Sequence, residues 1–234
     1  NLSLPFQAAE LAWLLMGSDD LEMIRYYNLR MQQFSDDGLK LWGAYGPSLR
    51  AQLPYVLAKL QNDWQTRQAV LTLWRPSPPA TRDVPCTVAL HFLPRGGLLD
   101  LLVYMRSNDL CWGWPYDVGN FTAIQMIVAQ LMGYGLGVYH HLVGSLHIYD
   151  DQVDRMRKVT QATPVSGGWP IWNGRDLDRD LVAHLRQADA AIRCGSLAEV
   201  QRWEQGMTAD LFVNQLTKWM AQRRLTMSGK RLVA

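Results

Sequence analysis

Residues 106–121 read RSNDLCWGWPYDVGNF, and residues 144–149 read GSLHIY. Between them, residues 120–132 are apolar at helical spacing and stop at Gly133, which predicts a core helix. VYHHLVGSLHIY (138–149) follows as a predicted strand. Upstream, AVLTLW (69–74), CTVALHFL (86–93) and LLDLLVYMRS (98–107) also read as strands, and Arg95-Gly96-Gly97 marks a hairpin between the last two. Alternation over 87–91 is weak, so these strands are expected to be buried on both faces. Helices are expected over 5–17 (begun by Pro5, ended by Gly17), 20–33 and 48–62. VTQATPVSGGWP (159–170) is a polar connection, and 178–226 reads as helical. The sum is an α+β domain over 1–234, a central mixed sheet with helices against it, in which 151–234 is the more divergent helical part.

Bulk composition narrows the function classes. The chain has 234 residues, 48% hydrophobic and 19% charged, which is enough for one well-buried core and unlike a disordered segment. A formal net charge of +2 gives no electrostatic case for a nucleic-acid partner. Arg223-Arg224 and Lys230-Arg231 are expected to be a solvated helix end. No apolar run approaches the roughly 20 residues needed to span a bilayer, so no membrane association is expected. The opening NLSLPFQ has no basic n-region of a secretory signal. Three cysteines at 86, 111 and 194 cannot all pair and have no metal-ligand spacing, which points to a reducing cytoplasmic setting without a metal.

The residues that can carry chemistry fall in a definite order. Glu10 is a carboxylate among Ala9, Leu11, Ala12 and Trp13, where a charge needs a reason; Tyr45 lies in GAYG. Arg67 precedes the strand that ends in Trp74 and Pro76. Cys86 follows Pro85; Arg106, Ser107 and Asp109 form R-S-x-D; Asp117 closes P-Y-D, with Asn120 beyond it; His147 and Tyr149 share one strand face. A thiolate is suited to add reversibly to an electron-poor ring carbon, and Arg is the side chain that grips a phosphate through two parallel hydrogen bonds. His140 and His141 are expected to be ordinary surface or core histidines.

This ordered set resembles the thymidylate synthase family of pyrimidine-nucleotide C5-transferases, with its Pro-Cys nucleophile, R-S-x-D phosphate segment, P-F-N base reader and H-x-Y sugar clamp. The resemblance covers roughly residues 5 to 150 and implies roles for each position. Cys86 would be the nucleophile that attacks C6 of the base, Glu10 the group that handles water and protons, and Tyr45 a neighbour of the thiol. Arg106 and Ser107 would hold the phosphate, with Arg106 close enough to favour the thiolate. Asn120 would lie near phosphate or base, and His147 and Tyr149 at the sugar 3′-hydroxyl. Asp109 would face 5,10-methylenetetrahydrofolate, the implied co-substrate; Trp112 and Trp114 either pack on it or in the core. Arg67 would reach the phosphate bound by a partner subunit, implying a homodimer. Gln68 stands where the family has a second Arg, and the last eighty or so residues depart from its pattern, apart from an apolar end at 232–234.

Asp117 stands where a uracil reader has Asn. Uracil presents an N3–H donor and an O4 acceptor; cytosine reverses both, with N3 accepting and the 4-amino group donating. A carboxyl accepts from the amine, and its own proton, or one gained by N3, completes the pair. The expected activity is therefore 5-hydroxymethylation of a cytosine nucleoside monophosphate, CMP or dCMP, by water addition after methylene transfer. The alternatives are a thymidylate synthase or dUMP hydroxymethylase, and a non-catalytic nucleotide-binding protein on the same scaffold. For Asp117 itself the alternative is a cap on the helix near Asn120.

Overall fold

The structure, a computed structural model, describes residues 2–76, 78–163 and 169–228. The apolar end at 232–234 and part of the polar connection lie outside the described residues. The first helix, α1 (Leu4–Leu15), is capped by Ser3, has Pro5 in its first turn and is followed by Gly17 at φ 71°. Phe6 through Ala9 and Leu11 through Leu15 are all buried, so this helix is enclosed around most of its circumference and belongs to the core. Glu10 is its only charged residue. Next comes α2 (Leu21–Tyr27), capped by Asp20, and then α3 (Tyr45–Asn62).

The helix expected over 20–33 is broken. Asn28 takes φ −146°, and its side chain accepts from the Arg30 amide, which opens a 3₁₀ turn, Leu29–Phe34. An Asn that bonds nearby backbone offers the chain an alternative to continuing the helix.

Four strands form the main sheet: β1 (Val70–Thr72), β2 (Thr87–Arg95), β3 (Leu98–Met105) and, after the short β4 (Asn108–Asp109) and α4 (Gly113–Met132), β5 (Gly135–Val143). Their order is β1-β2-β3-β5. β1 and β3 run antiparallel to β2, while β5 is parallel to β3, so the sheet is mixed. Gly96 and Gly97, at φ 56° and 81°, turn the β2–β3 hairpin. α4 is the crossover that a parallel pair requires.

Burial corrects the expectation of strands covered on both faces. Leu90, Phe92, Leu99, Leu101 and Val103 point into the helices and are fully buried, while Leu98, Tyr104, Val138 and Leu142 on the other face are exposed. The helices cover one side of the sheet.

α4 begins at Gly113 rather than Asn120 because Asp109 supplies its cap from outside the helix. The Asp109 carboxylate accepts from the amides of Cys111, Trp112 and Gly113 at 2.8–3.2 Å. Asp117 therefore lies inside the helix, which rules out the capping alternative. The strand expected over 138–149 also divides: after Gly144, β6 (Leu146–His147) leaves the main sheet to pair with β4.

Beyond α5 (Val153–Gln161), a π-helical segment, Leu177–Val182, leads into α6 (Ala183–Cys194), α7 (Leu197–Gln205) and α8 (Leu211–Met227). α8 packs along α1 and is itself held by α6 and α7. Its buried face carries Phe212, Val213, Leu216 and Met220.

Candidate active site

The elements converge on a cavity of about 490 Å³. One part of its lining is polar: Glu10 from α1, Tyr45 from α3, Cys86 and Arg106 from the ends of β2 and β3, Asp117 and Asn120 from α4. The other part is apolar: Trp13, Leu14, Met31, Phe34 and Leu41.

Cys86 follows the buried Pro85 immediately before β2, and its carbonyl accepts from the Arg106 amide at 2.9 Å, which joins the start of β2 to the end of β3. The Arg106 guanidinium is tied to the Pro85 and Val84 carbonyls at 2.9 and 3.0 Å and approaches Cys86 Sγ to 3.6 Å. Its charge favours the thiolate, as the sequence led us to expect, but burial is the larger effect, and Asp117, Asp83 and Asp109 add to it. The net result is a thiol pushed above its ordinary value. Tyr45 accepts from the Thr87 amide at 3.1 Å, beside Cys86, and stacks on Phe121. Burial and the neighbouring charges of Asp117 and Cys86 keep its phenol protonated.

Of the three carboxyls that line the cavity, Glu10, Asp83 and Asp117, the first and last influence each other. Burial pushes Glu10 up to about 7, against a hydrogen bond from Asn120 that favours the ionised form. Asp117 is raised well above the usual carboxylate range, by burial first and then by the charge of Glu10; a hydrogen bond from Asn108 works the other way. Like charges in a poorly solvated cavity resist double ionisation. Burial and the Glu10 charge both favour the protonated form of Asp117, which can donate one hydrogen bond and accept another.

Asn108 connects Asp117 to His141, which was expected to be an ordinary surface or core histidine. The Asn108 amide nitrogen lies 3.2 Å from His141 Nε2, and the Tyr139 hydroxyl lies 2.6 Å from His141 Nδ1. Burial depresses the His141 pKa, so the neutral ring has one donor and one acceptor nitrogen, which suits these two partners.

The other expected residues lie outside the cavity lining. Ser107 is half-buried between β3 and β4. His147 and Tyr149 meet edge-to-face with ring centroids 5.0 Å apart, Tyr149 exposed. Asp109 caps α4, and Trp112 is stacked between Arg30 and Arg155 at 4.4 and 4.3 Å. Arg67 is exposed in a separate hollow that it shares with Gln68 and Arg95. Conversely, Met31, Phe34, Leu41 and Asp83 line the cavity and were not singled out. Apolar side chains on a short 3₁₀ turn carry no local chemical signal. Gln7 did carry one, as the other polar residue of α1, one turn before Glu10. Among the described residues, no group of three or more His, Cys, Asp or Glu side chains could hold a metal ion, and no helix is long and apolar enough to cross a membrane.

The family model of thymidylate synthase matches residues 2–170. The chain is 37% identical over 181 residues to the deoxyuridylate hydroxymethyltransferase of Bacillus phage SP01, covering 69% of this chain and 47% of that protein. It is 32% identical over 174 residues to the deoxyuridylate hydroxymethyltransferase of Pseudomonas phage M6, covering 69% and 50%. With the thymidylate synthase of Bacillus atrophaeus it shares 33% identity over 107 residues, 45% of this chain and 47% of that one. The chain thus spans about half the length of the curated relatives it matches. Among solved structures, thermostable thymidylate synthase A from Bacillus subtilis superposes with a TM-score of 0.65, covering 76% of this chain and 70% of that one at 24% identity, a likeness of fold.

Proposed function

This chain belongs to the thymidylate synthase family, and from that premise we propose that it hydroxymethylates C5 of a cytosine nucleoside monophosphate. The observation that carries the reading is Asp117, a carboxyl that lines the same cavity as Cys86 and Glu10 and whose burial favours its protonated form. Its O–H can donate to cytosine N3 while its C=O accepts from the 4-amino group. A wrong pairing leaves a buried polar group unmatched, worth about 1–3 kcal/mol, or roughly ten- to hundred-fold in selectivity.

Cys86 Sγ, after losing its proton, bonds to C6 and breaks the ring conjugation, so that C5 becomes nucleophilic. The one-carbon unit is supplied at the oxidation level of formaldehyde by 5,10-methylenetetrahydrofolate as second substrate. Trp13, Leu14, Met31, Phe34 and Leu41 suit such an aromatic co-substrate, since a mostly apolar wall beside a few convergent polar groups is the usual form of such a site. Once the carbon is on C5, the C5 proton is lost, the carbon–nitrogen bond to the folate breaks, tetrahydrofolate leaves, and water adds to the exocyclic methylene that remains. Cys86 then leaves C6 and restores the ring. Glu10, poised at about 7, is suited to accept and return protons in these steps. Arg106 is the phosphate anchor in this reading.

We place the active unit as a homodimer. The exposed face of the sheet carries Leu98, Tyr104, Val138 and Leu142, interspersed with Asp100 and His140, and large exposed apolar side chains on one face are of the kind that a partner covers. Arg67, outside its own Cys86 cavity, then serves the neighbouring subunit's phosphate. A second reading, dUMP hydroxymethylation, is favoured by the named activity of the phage relatives. A non-catalytic binding protein is disfavoured by the joint placement of Cys86, Glu10 and Arg106 around one cavity.

The test is a panel of CMP, dCMP and dUMP with methylenetetrahydrofolate, using wild type, Asp117→Asn and Cys86→Ala, with products identified by mass. We expect a hydroxymethylated cytidylate from the wild type, a shift toward dUMP in Asp117→Asn and no product from Cys86→Ala. Turnover of dUMP alone by the wild type would sink the cytosine reading. Absence of tritium release from C5 of every nucleotide would sink catalysis itself.

A further inference from the structure

We propose that Gln7 and Asn120 are positioning residues that fix how Glu10 is presented to the cavity; the proton-handling role they serve rests on the function proposed above. Gln7 is 3% exposed, and Asn120 is 2% exposed. Gln7 Nε2 donates to two acceptors, the Tyr116 carbonyl at 3.2 Å and Asn120 Oδ1 at 2.7 Å. Both lie on one side of the amide, so the Gln7 side chain has only one satisfactory orientation. Its Oε1 is buried without a hydrogen-bond partner in this structure and is directed at Gly119, where an added Cβ would come within 2.9 Å of it.

Asn120 inherits that orientation. With Oδ1 taken by Gln7, its Nδ2 faces Glu10 and donates to Oε2 at 2.8 Å. An Asn without such a neighbour can turn over and present its oxygen instead. That would reverse the sign of its effect: a donor favours the carboxylate, an acceptor favours the carboxylic acid. Gln7 therefore decides whether Asn120 helps Glu10 ionise. Burial alone drives Glu10 upward, and the Asn120 hydrogen bond is the opposing influence that leaves it at about 7. Gln7 thus leaves its own Oε1 unmatched while Nε2 serves two acceptors, one of them Asn120, which is the bond that sets the Asn120 orientation.

Other charges around Glu10 do not supply the same control. Asp117 and Tyr116 of α4 feel its charge, while Cys86, Arg106 and Asp83 share the cavity. On α2, α3 and α8, Arg25, Arg50, Arg223 and Arg224 bond Glu22, Asp178 and the carbonyls of Tyr26 and Arg193, and Lys218 is exposed.

The test is the titration of Glu10 in the ligand-free protein, followed by carboxyl-labelled glutamate NMR and assigned with Glu10→Gln. Gln7→Met and Asn120→Ser are each expected to raise the midpoint above the wild-type value of about 7, by about ten-fold in ionisation constant. The double variant should shift no further than Asn120→Ser. In turnover, Gln7→Met should lower kcat roughly ten-fold near neutral pH, recover at higher pH and leave nucleotide KM within about two-fold. An unmoved midpoint in either variant, or additive shifts in the double variant, overturns the proposal. The titration needs no substrate, so it stands or falls independently of which nucleotide is turned over.

Discussion

At the scale of single residues, the choice of base depends on more than the presence of a carboxyl at position 117. A neutral carboxyl with its proton on either oxygen can match cytosine in one state and uracil in the other. Selectivity requires that one oxygen be assigned the proton. Asn108 can make that assignment, because the oxygen of Asp117 that accepts its hydrogen bond is disfavoured as the protonated one. Asn108 is itself 4% exposed and fixed by His141 and the Met105 sulfur. We expect Asn108→Ala to bring the cytidylate-to-dUMP ratio of kcat/KM about ten-fold closer to one, the worth of one lost orienting bond. Competition between the two nucleotides in one reaction measures that ratio directly. An unchanged ratio with reduced overall rate would leave Asn108 a packing role only. Asp117, Cys86 and Arg106 could be found from the sequence because each is a chemically distinctive residue within a short ordered motif. Asn108 could not, because an Asn beside R-S-x-D carries no sign of which side chain it orients.

At the scale of elements, α4 contributes Asp117 and Asn120 to the cavity, and its beginning was the boundary least visible in the sequence. The helix was expected only from Asn120, and Gly113 and Pro115 ahead of it are residue types that usually punctuate a loop. Three amides at the helix start bond Asp109 instead, and Pro115 falls in the first turn, where its missing N–H removes no helical bond. This early start places Asp117 and Asn120 on a rigid helix rather than in a loop. The far end of α4 is held by Gln125, whose amide bonds the Leu99 carbonyl at 2.8 Å. The β2–β3 hairpin and α3 were legible because their punctuation, Gly96-Gly97 and the helical spacing of Leu49, Leu53, Val56 and Leu60, is local. Asp109→Ala should destabilise the protein by about 1 kcal/mol as a lost helix cap. Denaturant titration measures this. Activity per folded molecule should fall as well, because fraying of the first turn moves Asp117. A full loss of stability with unchanged turnover would show that α4 keeps its frame without the cap.

At the scale of the whole molecule, the helices divide into two tasks. α8 packs along α1 and is held by α6 and α7, and Asp189 of α6 joins this group to α2 by accepting from the Tyr27 hydroxyl. These elements support α1 but contribute no residue to the cavity lining, which is why the helical end of the chain was visible as structure but not as part of the site. On the outer face of the sheet Leu98, Tyr104, Val138 and Leu142 are exposed, and in the homodimer proposed above this face would meet a second copy. If Arg67 completes the neighbouring subunit's site, Cys86→Ala and Arg67→Ala damage different halves of one composite site. Random exchange of the two variants makes half of the dimers mixed, and each mixed dimer has one intact site. Mixing equal amounts should therefore restore about a quarter of wild-type activity from two nearly inactive preparations. Native mass spectrometry verifies that exchange has occurred. Mixed dimers without recovered activity would place Arg67 outside the partner's site, and its hollow with Arg95 would then need another role.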